Sequence, residues 1–314
     1  MPENFADRLT WAIQEKGTPT CVGIDPQFER LPADITARDG LGDASDCESV
    51  IDAVSEYCRC VIRIVAPLVP AVKINAAFFE QYYWDGFEAY YSLVQEAKSR
   101  GLIVMGDAKR GDVGHSAAMY ARAHLARPAF RNVAEAMIPD AVTVNAYLGS
   151  DGVRPFIDIA RNEGKGVFVL VQTSNESSNE VQGVELDGGG SLAEHVGRLV
   201  NRWAGDAGLV GRCGYSCVGA VAAPHDPASM GRLRAMMPNC IFLVPGLGAQ
   251  GRAADDITPC FKSDGSGAIV TASRSVIYAY QDNKYLEMYA SEWEKCVEHA
   301  CRDFTRSVAA VVNR

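Results

Sequence analysis

Residues 102–116 read LIVMGDAKRGDVGHS. Leu102, Ile103, Val104 and Met105 open the stretch as a buried strand does, short and partly β-branched. At Gly106 the apolar run breaks, and three charges follow as Asp107, Lys109 and Asp112. On a two-residue period Asp107 and Lys109 project from one side of the strand's end. Gly111 then lets the chain turn, so Asp112 falls in the loop before the next helix. Charges just past a strand are commonly solvated loop charges. An ammonium set between carboxylates at the end of a core strand makes a poor surface decoration and a good active site.

Outward from this stretch the chain repeats one pattern. Apolar strands are expected at residues 20–25 (TCVGID), 71–75 (AVKIN), 102–105, 141–146 (AVTVNA), 166–173 (GVFVLVQT), 217–223 (CVGAVAA), 240–246 (CIFLVPG) and 267–273 (GAIVTAS). Helices are expected at about 47–66, 78–99, 115–126, 153–162, 191–204, 227–237 and 285–311. Ser45 with Glu48, and Ser191 with Glu194, suggest capping boxes. The polar loop SNESSNEVQGVELDGGG after the fifth strand is too long for a mere connector; such loops are often lids or disordered. Continuous rather than alternating apolar strands mean burial on both faces, hence a parallel sheet. Eight such units in series predict an α/β fold, a single (β/α)8 TIM barrel over residues 1–314 with an extra N-terminal helix. A doubly wound open sheet is the alternative.

Composition narrows the function. The 314 residues are 48% hydrophobic and 22% charged, ordinary for a globular protein. A net charge of −9 and a pI near 5.1 argue against nucleic acid or an anionic membrane as partner. Ten cysteines show no C-x-x-C pair, and five scattered histidines no HExxH, so no metal site is expected. Reduced thiols in a cytoplasmic enzyme are the simpler account. The N-terminus is an amphipathic helix with Phe5, Leu9, Ala12 and Ile13 on one stripe and no signal-peptide core. No apolar run is long enough to cross a bilayer.

In a barrel, active-site groups belong where strands end. Asp25 ends the first strand, Lys73 and Asn75 the second; Asp107, Lys109 and Asp112 follow the third. Thr173 and Ser174 end the fifth. Pro245 to Gln250 follow the seventh, and Ser273 and Arg274 close the eighth. Gly246, Gly248 and Gly251 of VPGLGAQG offer amides that can approach an anion, with Gln250 as a donor. Arg274 adds a permanently charged fork suited to phosphate oxygens. The loops after strands seven and eight are the usual phosphate seat of such barrels.

These residues carry a family likeness. CVGIDP, VKINAAFFE, GDAKRGDVG, VQTSNESS, VPGLGAQG and TASRS occur in order at the strand ends. With them the chain resembles the orotidine 5′-phosphate decarboxylases, in their longer-chain type 2 form. The D-x-K-x-x-D element is the most specific match. Ser116 stands where the family usually has Thr, keeping the hydroxyl, and Leu247 where it has an aromatic residue.

The resemblance implies decarboxylation of orotidine 5′-phosphate to UMP, the last step of de novo pyrimidine nucleotide synthesis, without metal or organic cofactor. It implies roles by position. Asp25 and Lys73 bind the ribose hydroxyls, with Asn75 beside them. Asp107 abuts the substrate carboxylate and Lys109 protonates C6. Asp112 comes from the neighbouring subunit of a homodimer, with Val113 and Ser116 also reaching across. Thr173 and Ser174 meet the pyrimidine, Gln250 and Arg274 hold the phosphate, and Pro245 and Ser273 add substrate contacts. No attached phosphoribosyltransferase is expected. Two rivals remain: a phosphosugar barrel using the same charges with Mg²⁺, and a catalytically silent nucleotide-binding barrel.

Overall fold

The computed structural model describes residues 2–37, 46–246, 254–290 and 292–312. Eight strands close into a parallel barrel in sequence order: β1 (Thr20–Ile24), β2 (Ala71–Asn75), β3 (Ile103–Arg110), β4 (Ala141–Val144), β5 (Gly166–Gln172), β6 (Ser216–Ala222), β7 (Cys240–Pro245) and β8 (Ala268–Ala272). Closure is made by β1 on β8, with Thr20 opposite Val270 and Cys21 opposite Thr271, which excludes an open doubly wound sheet. The strands are buried almost throughout, as runs apolar on both faces must be.

The principal helices are α1 (Phe5–Lys16), α2 (Cys47–Val65), α3 (Tyr83–Ser99), α4 (Gly114–Leu125), α5 (Ser150–Glu163), α6 (Leu192–Ala204), α7 (Pro227–Met236) and α8 (Trp293–Val312). From α2 onward they alternate with the strands, except between β7 and β8, where the described connection is the 3₁₀ segment Ala254–Cys260. None of the described helices is long and apolar enough to cross a membrane.

Helix α1 covers the amino-terminal mouth of the barrel. Phe5 meets Phe168 edge to face at 5.9 Å, and residue 166 must be glycine because a Cβ there would lie 2.4 Å from the Phe5 ring. The Asp7 carboxylate accepts the amides of Arg212 and Cys213. Arg8 pairs with the buried Asp140 at 2.8 Å, and Asp140 in turn accepts the Val104 amide. These contacts close one end and leave the carboxyl ends of the strands as the open mouth.

Several local expectations change. Strand β3 does not stop at Gly106: it runs to Arg110, and Gly106 sits in the ladder between Ile74 and Val142. Glycine is required there because a Cβ would lie 2.6 Å from the Tyr90 hydroxyl oxygen. The left-handed backbone falls at Lys109 (φ 47°), not at Gly111. Gly111 instead permits a close approach, a Cβ there lying 3.0 Å from the Asn145 carbonyl oxygen. The cap of α2 is Asp46, which accepts the Glu48 amide; Ser45 lies outside the described residues. The expected helix over 78–99 divides into Ala77–Glu80 and α3, with Tyr83 at φ 54°. The expected 285–311 helix likewise divides into Asn283–Tyr289 and α8. The box of Ser191 and Glu194 forms as expected at the start of α6.

Candidate active site

Four predicted residues from three adjacent strands form one chain of charges at the open mouth. Lys73 comes from β2, Asp107 and Lys109 from β3, and Asp25 lies one residue past β1. The Lys73 Nζ is 2.6 Å from Asp107 Oδ2 and 3.8 Å from Asp25 Oδ1. The Lys109 Nζ donates to the other oxygen, Asp107 Oδ1, at 2.7 Å. A third donor, the hydroxyl of Thr143 on β4, reaches the same Oδ1 at 2.9 Å. Asp107 is thus held by two ammoniums and a hydroxyl while almost wholly buried.

Burial alone would raise the Asp107 carboxyl, but Lys73 and Lys109 outweigh it and hold it well below the usual carboxylate range. Burial likewise pulls Lys73 down, and Asp107 and Asp25 more than reverse that, raising it well above an ordinary lysine. Both groups are therefore charged across the neutral range. The Lys73 side chain is 10% exposed and the Lys109 side chain 48%, so Lys109 is the ammonium that faces the mouth. Asp25 Oδ1 is buried and has no hydrogen-bond partner among the described residues; Lys73 is within ion-pair range but beyond bonding distance.

Asn75 sits opposite Asp107 in the β2–β3 ladder, and its Oδ1 accepts the Ala77 amide at 3.3 Å. Asp112 accepts from the Val113 amide beside it and pairs with no cation among the described residues. Val113 is the N-cap of α4, and Ser116 lies in that helix's first turn. Thus Asp112, Val113 and Ser116 form a rim segment outside the Asp25–Lys73–Asp107–Lys109 chain.

Thr173 is held by Gln182, whose Oε1 accepts the Thr173 amide at 2.8 Å and whose Nε2 donates to its hydroxyl at 2.7 Å. His225 bonds the Thr173 carbonyl at 2.6 Å, and the half-buried Ser174 follows. The long loop after β5 is held by its own bonds, including the Leu186 amide to the Gly190 carbonyl, and by the Ala193 amide of α6, which donates to the Gln182 carbonyl. Gln172, Gln182, His225 and Arg232 help line a cavity of about 360 Å³ beside it.

Across the seam of the barrel, Ser273 donates to the Gly23 carbonyl at 3.0 Å. Pro245 ends β7 opposite Thr271, and Gly246 follows with φ 94°, a conformation suited to glycine. Arg274 is exposed and has no carboxylate partner among the described residues. Gln250, with Leu247, Gly248 and Gly251, lies outside the described residues. Since β8 adjoins β1, the rim from Arg274 through Asp25 and Lys73 to Lys109 is continuous.

Thr143, Gln182 and His225 escaped the sequence reading. Thr143 and His225 act on partners 36 and 52 residues away, and Gln182 on Thr173 nine residues back across the loop. All ten cysteines are free thiols, and burial pushes those of Cys21, Cys217, Cys240 and Cys301 up to about 12. No cluster of three or more metal-ligating side chains occurs among the described residues.

A closed parallel barrel with a buried Asp–Lys chain at the carboxyl rim defines a (β/α)8-barrel enzyme. The chain belongs to the Orotidine 5′-phosphate decarboxylase / HUMPS family, whose model matches residues 18–289. It is 36% identical over 311 residues to the orotidine 5′-phosphate decarboxylase of Caldicellulosiruptor bescii, covering 99% of each chain. It is 38% identical over 299 residues to that of Rhodopirellula baltica, covering 94% of this chain and 96% of the other. Among solved structures it resembles Leishmania donovani OMP decarboxylase, with a TM-score of 0.72, 26% identity and 99% coverage of both chains.

Proposed function

We propose that this protein is a carboxy-lyase that converts orotidine 5′-phosphate to UMP and CO₂. The observation that carries the reading is the ordered chain Asp25–Lys73–Asp107–Lys109 at the open mouth, in a member of this family. The bond from C6 to the carboxylate breaks, CO₂ leaves, and the electron pair remains in the plane of the ring, where the π system delocalises it poorly. Lys109 is placed to stabilise that carbanion and then donate its proton to C6. At about 3 Å and an effective dielectric of about 20, one such contact is worth roughly 5–6 kcal/mol, or about four powers of ten in rate. Asp107 meets the substrate carboxylate, so loss of CO₂ removes one of two neighbouring negative charges.

The remaining contacts supply binding that strengthens in the transition state. Asp25, with its unpartnered buried oxygen, and Lys73 take the ribose hydroxyls, beside Asn75. Thr173 and Ser174 meet the pyrimidine. Pro245, Gln250, Ser273 and Arg274 hold the phosphate end, which the exposed guanidinium suits.

The active form is a homodimer in which Asp112, Val113 and Ser116 complete the partner's site. Exposed apolar side chains at that rim favour it: Val113 is 55% exposed, Tyr147 80% and Leu148 46%. The protein acts in the cytoplasm on a small-molecule substrate, as one barrel domain over residues 1–314. The test is the loss of orotidylate absorbance with purified protein, with and without EDTA. Metal-independent UMP formation supports the assignment; turnover abolished by EDTA points to Mg²⁺-assisted phosphosugar chemistry instead.

A further inference from the structure

The pairing of β3 with β4 contains an irregularity at the catalytic charges. Gly106 pairs with Val142 and Arg110 with Val144, so β3 advances by four residues while β4 advances by two. Asp107, Ala108 and Lys109 therefore face the single β4 residue Thr143. On the other side β2 and β3 keep a regular register as far as Asn75 and Asp107, where β2 ends. Such a bulge re-aims a side chain at the cost of ladder bonds. Here it also holds Lys109 at φ 47°, where a residue with a Cβ is strained.

A bulged amide still needs a partner. The Lys109 N–H finds one in the Thr143 hydroxyl oxygen, at 2.9 Å. The same hydroxyl donates its proton to Asp107 Oδ1, also at 2.9 Å. Thr143 is 1% exposed, so no water competes for these two bonds. One group thus ties the strained backbone of the lysine to the carboxylate that receives its ammonium at 2.7 Å.

We propose that Thr143 is a positioning residue for the reaction: its hydroxyl clamps the Lys109 backbone to the Asp107 carboxylate and so sets where the Lys109 ammonium stands. The inference rests on the decarboxylase reading. Valine has nearly the shape of threonine without the hydroxyl, whereas serine keeps the hydroxyl and loses the methyl. A bond to a charged group of this kind corresponds to roughly ten- to a hundredfold in rate.

The experiment compares wild type, Thr143→Val and Thr143→Ser by kcat, KM, UMP affinity, unfolding temperature and exchange of the Lys109 amide. The expected result is a ten- to hundredfold loss of kcat in Thr143→Val with UMP affinity kept and the Lys109 amide exchanging faster. Thr143→Ser should recover most of the turnover. If Thr143→Val does not fold, Thr143→Ala takes its place in the comparison with serine. Wild-type turnover in the valine variant, or equal losses in valine and serine that follow unfolding temperature, overturns the proposal. A wild-type protein that does not decarboxylate orotidylate overturns the decarboxylase reading instead, while amide exchange in the valine variant still decides whether the clamp exists.

Discussion

Lys73 and Lys109 do not compete for Asp107: one ammonium takes Oδ2 at 2.6 Å and the other takes Oδ1 at 2.7 Å. The carboxylate is buried, so removing its charge strands two cations beside each other.

Asp107→Asn is expected to destabilise the fold by on the order of 3–5 kcal/mol at neutral pH, as breaking a buried pair does. The folded-state pKa of Asp107 is depressed from the ordinary 3.8. Its contribution is therefore complete above that value and fades as pH falls below it toward the lowered pKa. Lys73 is raised from 10.5, so its share is complete below 10.5 and lost as pH rises through the raised value. Urea titrations of wild type and variant should show a constant difference from about pH 5 to pH 9 that narrows under acid.

Lys109→Ala should lower kcat by about four powers of ten while UMP binding is largely kept, because the lost contact is made mainly in the transition state. Absorbance assays with isothermal titration of UMP separate the two. A variant that decarboxylates normally would remove Lys109 from the chemistry.

The proposed phosphate contacts follow the seventh and eighth strands in the sequence, and their effect should nonetheless reach the rate. Arg274→Ala combined with Gln250→Ala is expected to lower kcat as well as raise KM, since binding energy from remote groups is used at the reacting carbon. A change in KM with kcat untouched would assign Arg274 to uniform binding alone.

Asp112 pairs with no cation among the described residues. Mixing inactive Lys109→Ala and Asp112→Ala proteins under conditions of subunit exchange is expected to restore activity that neither has alone, because one hybrid site is intact. Placing a charge at Tyr147 should shift the protein toward monomer in sedimentation and lower activity in parallel.

The order of strands, the closed barrel and the rim positions were legible because parallel strands read as uninterrupted apolar runs with polar residues at their ends. The end of β3 was not. Gly106 reads locally as a breaker, yet the Tyr90 hydroxyl packed against it makes glycine a requirement of the strand. The turn assigned to Gly111 belongs to Lys109, because the bulge is set by β4, and a single stretch carries no record of its neighbour's register. Thr143 was passed over for the same reason: it lies within AVTVNA as an ordinary β-branched strand residue. At α2 the box was read at Ser45, which lies outside the described residues, and the Asp46 carboxylate accepts the Glu48 amide.

Lys109 stands in a backbone conformation that glycine adopts freely and lysine does not. Its retention there is a standing concession of robustness to activity. Lys109→Gly should abolish turnover and yet melt at a higher temperature than Lys109→Ala, which removes the amine but keeps the backbone penalty.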